Sequence, residues 1–171
     1  MAKKSAKKPV QRSYKENGSV KAAPKKTSRY AKAKMNPVVH FEFPMDDPKR
    51  IAKFYNEAFG WKTMKTGKEH GGYLIVHTGE TTADGMLKEI GMINGGFYQR
   101  EKRKPAKHPS VVIAVMDIEE AMQKIEEAGG EVIGAPTDIP GYGTYISFYD
   151  TEGNMNSIIE PDDKWKEKTS E

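Results

Sequence analysis

Hydrophobic and polar residues change their spacing part-way through residues 37–61. Every second position of 39–43 is apolar, which predicts a strand with two unlike faces. Asp47 then stands where it can cap a helix, Pro48 fits the first helical position, and Gly60 fits the end. An apolar stripe at helical spacing lies between the caps: Ile51, Phe54, Tyr55 and Ala58.

The same plan returns about seventy residues later, in residues 110–134. Residues 111–115 predict a strand, and Asp117 with Glu120 forms a capping-box pattern. The glycines at 129–130 end the helical pattern. A second stripe lies between them: Ile118, Ala121, Met122, Ile125 and Ala128. Matching caps at a long period indicate two copies of one unit, each too small to bury its apolar surface alone.

Three further strands are predicted after each helix, so each unit is a βαβββ module. They lie at 61–65, 72–78 and 92–99 in the first module, and at 131–135, 145–149 and 155–160 in the second, with a loop at 137–143. The predicted fold is α+β, with modules of about 36–99 and 109–161 and helices of about 47–59 and 117–128. We expect both apolar stripes to be buried.

Charge is divided unevenly along the chain. Residues 1–34 contain twelve Lys or Arg and the single Glu16, a net of +11. Residues 35–171 contain sixteen basic and twenty-three acidic residues, a net of −7. The first segment has no apolar period, so it is predicted to be a disordered basic arm, and residues 162–171 a polar tail. The arm serves either as a solubilising tail or as a weak, non-specific contact to nucleic acid.

The chain has no cysteine, which excludes disulfides and thiolate zinc sites. No apolar run approaches the roughly 18 residues of a membrane span, and the start lacks the apolar core of a secretory signal. We therefore expect a cytoplasmic protein that does not act at a membrane.

Several short motifs occur together with the repeat. They are Phe54-Tyr55, Phe59-Gly60-Trp61, Asn94-Gly95-Gly96, Ile139-Pro140-Gly141-Tyr142-Gly143 and Asp150-Thr151-Glu152-Gly153-Asn154. In this combination, residues 36–161 resemble the glyoxalase/bleomycin resistance/extradiol dioxygenase group, the vicinal oxygen chelate superfamily. The resemblance implies that the paired modules form a cupped, barrel-like mixed sheet with helices outside.

In metal-dependent members of that group, the resemblance implies one divalent ion held in the cup by four side chains. His40 falls on the first ligand position and should face the concave side. The other three positions fall at about Gly95, on Ser110 and on Ser157. A lone imidazole does not hold a hard divalent ion against water, so no metal or other cofactor is expected. A divalent metal remains the alternative if Glu42 joins His40, with His77 or His108 as a third ligand.

Other residues are candidates for a cup without metal. His40 and Glu42 are the catalytic candidates, because an enclosed Glu42 would have a raised pKa and could act as a base. Gly141 and Gly143 would let the loop that carries Tyr142 move as a lid. The ligand-contacting candidates are Tyr142, Ser110, Ser157, His77 and Phe97.

Three functions follow in order of preference. The first is a protein that binds a small molecule in the cup without the four-ligand metal site. The second is a metal-dependent lyase, isomerase or dioxygenase with a non-standard site around His40 and Glu42. The third is an interaction protein that dimerises through its domain and contacts nucleic acid through residues 1–34.

Overall fold

The computed structural model describes residues 35–67, 71–82, 87–89, 91–101 and 108–162. Along the chain, a strand is followed by a helix and three further strands, and this order occurs twice. The first module contains β1 (Val38–Met45), α1 (Pro48–Phe59), β2 (Lys62–Lys65), β3 (Leu74–His77) and β4 (Gly95–Gln99). The second contains β5 (Ser110–Ala114), α2 (Ile118–Glu127), β6 (Glu131–Ile139), β7 (Gly143–Tyr149) and β8 (Met155–Pro161). The predicted pair of βαβββ modules is confirmed.

Both helices begin at the predicted aspartates. The Asp47 carboxylate accepts hydrogen bonds from the backbone N–H groups of Lys49 and Arg50, and the Asp117 carboxylate accepts one from Glu120. Gly60 ends α1 with a φ of 72°, a left-handed conformation that a glycine adopts without steric cost. The predicted helix limits are therefore correct to within one residue.

The eight strands form one mixed, open sheet in the order β2-β3-β4-β1-β5-β8-β7-β6. The two modules meet where β1 pairs antiparallel with β5, with His40 opposite Val112 and Glu42 opposite Ser110. Within each module the first strand pairs in parallel with the last, β1 with β4 and β5 with β8. The chain thus places two equivalent half-sheets side by side.

The core lies between the helices and one face of this sheet. Phe97 and Val76 are fully buried beneath α1, and Ile146 and Ile158 are buried beneath α2. Strand alternation puts every other side chain on the opposite face, which carries no helix in the described chain. We call that opposite face the inner face, and His40 and Glu42 lie on it, as predicted for His40.

The prediction that both stripes are buried is wrong in part. Phe54 is 57% exposed, and Ala58 and Ala128 are also exposed. Only the side of α1 that carries Ile51 and Tyr55 packs on the core. A helix that lies on a sheet buries one side and leaves the other side exposed.

The second module also departs from the predicted strand limits. β6 runs on to Ile139, past an irregularity between Ile133 and Thr137 where Gly134 has a φ of 82°. The predicted loop at 137–143 is therefore only three residues long. Gly143 belongs to β7, and a Cβ there would lie 2.1 Å from the Glu160 carbonyl oxygen. Gly143 is thus part of a paired strand, and movement of the remaining loop as a lid, about Gly141, stays a prediction.

Candidate functional site

Glu42 is the centre of a hydrogen-bonded chain that reaches into the second module. The Tyr145 hydroxyl donates to Glu42 Oε2 over 3.0 Å. The same hydroxyl oxygen lies 2.6 Å from Ser157 Oγ, which in turn lies 3.1 Å from Ser147 Oγ. Because the Tyr145 proton is directed at the carboxylate, Ser157 donates to Tyr145 and Ser147 donates to Ser157.

A second branch joins Glu42 to His40 through the first module. The Tyr73 hydroxyl lies 2.8 Å from His40 Nε2, and it is close enough to Glu42 to lower the pKa of that carboxyl. The imidazole tautomer decides which of the two groups donates this bond: a protonated His40 Nε2 donates to the Tyr73 oxygen, and an unprotonated Nε2 accepts from the Tyr73 hydroxyl. We call the two branches together the Glu42 network: His40, Glu42, Tyr73, Tyr145, Ser147 and Ser157.

Gly96 makes room for the first branch. A Cβ at Gly96 would lie 1.8 Å from the Tyr73 hydroxyl oxygen, so only glycine leaves space for this ring. Gly95 faces the other way, because its Cβ would meet the Phe41 ring on the helix side. The two glycines therefore allow two aromatic rings to lie against the backbone of β4, Phe41 at Gly95 and Tyr73 at Gly96.

The strand register shows which residues of the modules correspond. Since His40 lies opposite Val112 and Glu42 opposite Ser110, exchanging β1 and β5 places His40 on Ser110 and Glu42 on Val112. Glu42 therefore has an apolar counterpart. The network has one carboxylate, and it comes from the first module.

The remaining strands follow the same correspondence. Gly96 pairs with Glu42, and Ser157 pairs with Val112, so Gly96 corresponds to Ser157. The predicted ligand position at about Gly95 thus moves by one residue to Gly96. Continuing to β3 and β7, Ile75 pairs with Gly96 and Ser147 with Ser157. Tyr73 and Tyr145, each two residues earlier, are therefore counterparts that approach Glu42 from opposite modules.

Burial determines the protonation of this site. It raises the pKa of the Glu42 carboxyl, although hydrogen bonds from Tyr145 and Tyr73 act in the opposite direction. Burial also lowers the pKa of His40 to about 4, so the imidazole is neutral at pH 7. Burial, together with the nearby Glu42 charge, raises the pKa of Tyr73 and of Tyr145. Both tyrosines are therefore neutral hydrogen-bond donors.

The residues at the four ligand positions do not fit the metal site that the family resemblance implies. His40 Nε2 is engaged by Tyr73, and Gly96, Ser110 and Ser157 offer neither imidazole nor carboxylate. Within residues 35–67, 71–82, 87–89, 91–101 and 108–162, no three His, Asp or Glu side chains are grouped to hold an ion. The absence of a cofactor stays a prediction, and the side chains at these four positions support no reaction step through a metal.

Comparison with known proteins identifies the family of this chain. The family model described as Glyoxalase/Bleomycin resistance protein/Dioxygenase superfamily matches residues 38–158. The chain belongs to this superfamily. A glyoxylase-like domain-containing protein of Didymella fabae is 27% identical over 122 residues, which cover 68% of this chain and 88% of that protein.

Solved structures of the superfamily fold are also similar. A hypothetical protein from Bacillus halodurans C-125 has a TM-score of 0.56 at 18% identity, covering 76% of this chain and 97% of that one. Methylmalonyl-CoA epimerase from Mycobacterium tuberculosis has a TM-score of 0.55 at 10% identity, covering 74% and 89%. At these identities the likeness establishes the fold, and the site must be interpreted from its own residues.

The structure brings some predicted site residues together and separates others. Ser110 and Ser157 are buried on the inner face, and Tyr142 is near enough to contribute to the raised pKa of Tyr73. Phe97 was predicted to contact a ligand, and this is wrong, because it is fully buried beneath α1. His77 lies at the far end of β3, four residues beyond Tyr73, and has no bond to the Glu42 network.

Sequence reasoning missed three members of the network: Tyr73, Tyr145 and Ser147. Aromatic residues at strand spacing usually pack in a core, so the two tyrosines carried no signal by themselves. The module correspondence is a signal that could have found them. It aligns Tyr73 with Tyr145 and places both beside the ligand positions.

His108 and the chain termini lie apart from the Glu42 network. His108 is exposed, and its carbonyl accepts a hydrogen bond from the Tyr98 hydroxyl over 3.0 Å. The arm at 1–34 and most of the tail lie outside the described residues. No helix of the described chain is long and apolar enough to cross a membrane.

Proposed function

We propose that this chain binds a small organic molecule on the inner face, at a site that does not use the superfamily's four-ligand metal centre. The observation that carries this proposal is the Glu42 network, in which polar side chains from both modules converge on one carboxylate. Superfamily membership supports the same face as the place for a ligand.

The energetics of the network support a functional role over a structural one. Burying a carboxylate costs free energy even when it is hydrogen-bonded, and a core of this size is more simply completed by apolar residues. Groups with pKa values shifted by burial are concentrated at functional sites. His40, Glu42, Tyr73 and Tyr145 also remain partly exposed, so a molecule in solution can reach them.

A ligand screen tests the proposal. We would measure chemical-shift changes in the backbone amides when the protein is mixed with a set of diverse small metabolites. Binders should perturb β1, β3, β5 and β7 together. Tyr145→Phe and Glu42→Gln should weaken these binders at least tenfold while the fold is kept, as judged by the same spectra.

Matched variants on the helix side provide the control. Glu57 is exposed on α1 and ion-paired to Lys53 over 3.8 Å, so Glu57→Gln changes the same charge away from the inner face. Tyr55→Phe removes a hydroxyl from the α1 side. Both should bind as the unchanged protein does. Binders that perturb only the helix side, or that respond equally to both variant sets, would contradict the proposal.

A second candidate function is proton transfer without a metal. The specific observation in its favour is the branch from Ser147 through Ser157 and Tyr145 to Glu42, since consecutive hydroxyls can pass a proton. Glu42 would take a proton from a bound carbon acid, with His40 and Tyr73 orienting the carboxylate. Burial favours this role because it raises the pKa of Glu42 toward working pH.

Deuterium incorporation tests that second function. Compounds that bind in the screen would be incubated in D₂O with the protein, with Glu42→Gln, and with Glu57→Gln. We expect exchange at an acidic C–H with the unchanged protein and with Glu57→Gln, and none with Glu42→Gln. Methylmalonyl-CoA, the compound named for the structural neighbours, belongs in the set. Exchange that persists in Glu42→Gln would eliminate Glu42 as the base.

The remaining alternatives have less support. A metal-dependent lyase, isomerase or dioxygenase with a non-standard site around His40 and Glu42 needs a third ligand, and the described residues contain no group of three metal-binding side chains. The nucleic-acid hypothesis depends on residues 1–34, and neither the superfamily nor the similar structures bear on it. Homodimer formation and a cytoplasmic location stay predictions.

A further inference from the structure

The Glu42 carboxylate has no cationic partner among the described residues. Its pKa is set by burial and by the hydroxyls of Tyr145 and Tyr73, with no contribution from a lysine or arginine of the described chain. Its one imidazole neighbour, His40, is neutral at pH 7. Hydroxyl groups stabilise a buried negative charge only in part, so no described side chain balances the charge of this carboxylate.

Aromatic rings surround this carboxylate from both modules. Tyr145 donates a hydrogen bond to it, Tyr73 is close enough to lower its pKa, and the charge of Glu42 also contributes to raising the pKa of Tyr98. Tyr142 is near Tyr73, is 40% exposed, and is the last residue of the three-residue loop before β7. A cation is attracted to the faces of such rings, whereas an anion is not.

One buried hydroxyl beside the carboxylate has no partner. Ser110 is opposite Glu42 in the register of β1 and β5, and it is only 5% exposed. Its Oγ makes no hydrogen bond to another described group. Buried hydroxyls are nearly always paired, so an unpaired one directed at the inner face indicates an absent hydrogen-bonding atom.

These three observations select one class of ligand. We infer that the inner face binds a small organic ammonium ion, with its N–H groups donating to Glu42 and Ser110 and its charge held among the tyrosine rings. This inference deepens the proposed function and depends on it.

The experiment compares four molecules of similar shape that differ in charge and in N–H groups. They are benzylammonium, benzyltrimethylammonium, benzyl alcohol and phenylacetate. Dissociation constants would be taken from chemical-shift titrations of the full chain at pH 7 and constant ionic strength. We expect benzylammonium to bind most tightly, at least tenfold more tightly than benzyl alcohol. Benzyltrimethylammonium should lie between them, because it keeps the charge but cannot donate, and phenylacetate should bind most weakly.

Variants then assign the effect to residues. Glu42→Gln should remove the preference for benzylammonium over benzyl alcohol, and Glu57→Gln should preserve it. Ser110→Ala should weaken benzylammonium several-fold and leave benzyltrimethylammonium unchanged, since only the first has an N–H to lose a partner.

The outcomes separate this inference from the proposed function. If benzyl alcohol or phenylacetate binds the inner face as tightly as benzylammonium, the cation inference is wrong and the small-molecule site stands. If Glu42→Gln leaves the preference intact, the inference is also wrong. If all four molecules perturb only the helix side, or none binds while the metabolite screen also finds no inner-face ligand, both proposals fall.

Discussion

The two modules share a backbone plan but differ in the chemistry that they place at equivalent positions. The first contributes His40, Glu42 and Gly96, and the second contributes Ser110, Val112 and Ser157 at the corresponding points. Apart from Tyr73 and Tyr145, every titratable side chain of the Glu42 network therefore belongs to the first module. The second module supplies small hydroxyl groups that complete the hydrogen bonding. The difference shows that a repeat fixes where side chains point, while each copy is free to carry a different part of one site.

The largest predicted effect concerns the core that both modules need. Phe97 corresponds to Ile158, and both are buried on the helix side of their half-sheets. Phe97→Ala should lower the free energy of unfolding by about 3–5 kcal/mol, because it removes a fully buried ring and leaves a cavity. Urea unfolding measures the loss. A loss below about 1 kcal/mol would show that Phe97 is not part of the core.

The next effect depends on His40, whose counterpart Ser110 does not titrate. The pKa of His40 is lowered from 6.5 to about 4 in the folded protein, so the unfolded chain binds a proton more readily. The stability due to this residue is complete above pH 6.5 and is lost as the pH falls toward 4, to a maximum of about 3 kcal/mol. Glu42 acts in the opposite sense, because its raised pKa makes stability fall as the pH rises through its titration.

Comparing two proteins isolates the His40 contribution. Free energies of unfolding would be measured at pH 7 and pH 4.5 for the unchanged protein and for His40→Gln. The unchanged protein should lose more stability on acidification than the variant does. Equal losses would mean that the imidazole is not held in its neutral form by folding.

The third prediction concerns a substitution that makes the two modules more alike at one position. Gly96→Ser copies the residue at the corresponding Ser157, but its Cβ would overlap the Tyr73 hydroxyl. We expect a destabilisation of about 1–3 kcal/mol, with Tyr73 displaced from Glu42 and His40. The readout is unfolding in urea together with the chemical shift of the His40 ring. An unchanged ring environment would show that Tyr73 keeps its place.

Ser157→Gly makes the reverse change and serves as the matched test. It removes hydroxyl contacts at 2.6 Å to Tyr145 and 3.1 Å to Ser147 and adds backbone freedom, without introducing any overlap. Tyr73 should stay in place in this variant. Movement of both tyrosines in either variant would indicate that the two branches are one cooperative unit.

The smallest effect is expected on the outer surface of the helices. Phe54 is 57% exposed on α1, and the corresponding residue of α2 is Lys124. Phe54→Lys should lower the free energy of unfolding by less than about 1 kcal/mol, because it removes only exposed edge-on ring contacts with Tyr55 and Phe59 on the same helix. Thermal unfolding checks this. A loss above about 1 kcal/mol would show that a surface outside the described residues, or a second copy, covers Phe54.

The sequence by itself determined the two modules, their helix limits and the face of β1 that carries His40. These follow from local rules: Asp47 and Asp117 cap helices, Gly60 permits a left-handed end, and alternation in β1 separates His40 from Phe41. The family resemblance also followed from motifs within short stretches, and the superfamily match confirms it. Local backbone preferences act over a few residues, which is the distance over which a sequence can be interpreted directly.

Only the tertiary structure decided which residues meet at Glu42. Tyr145 lies 103 positions away in the chain, and it reaches the carboxylate only because β5 and β8 bring β7 across the module boundary. Phe97 and Tyr73 looked alike as strand aromatics, yet one faces α1 and the other fills the space left by Gly96. A shift of one residue in register exchanges these faces, and register is set by pairing between distant strands. The protonation of the site has the same origin, because burial arises only when the sheet is assembled.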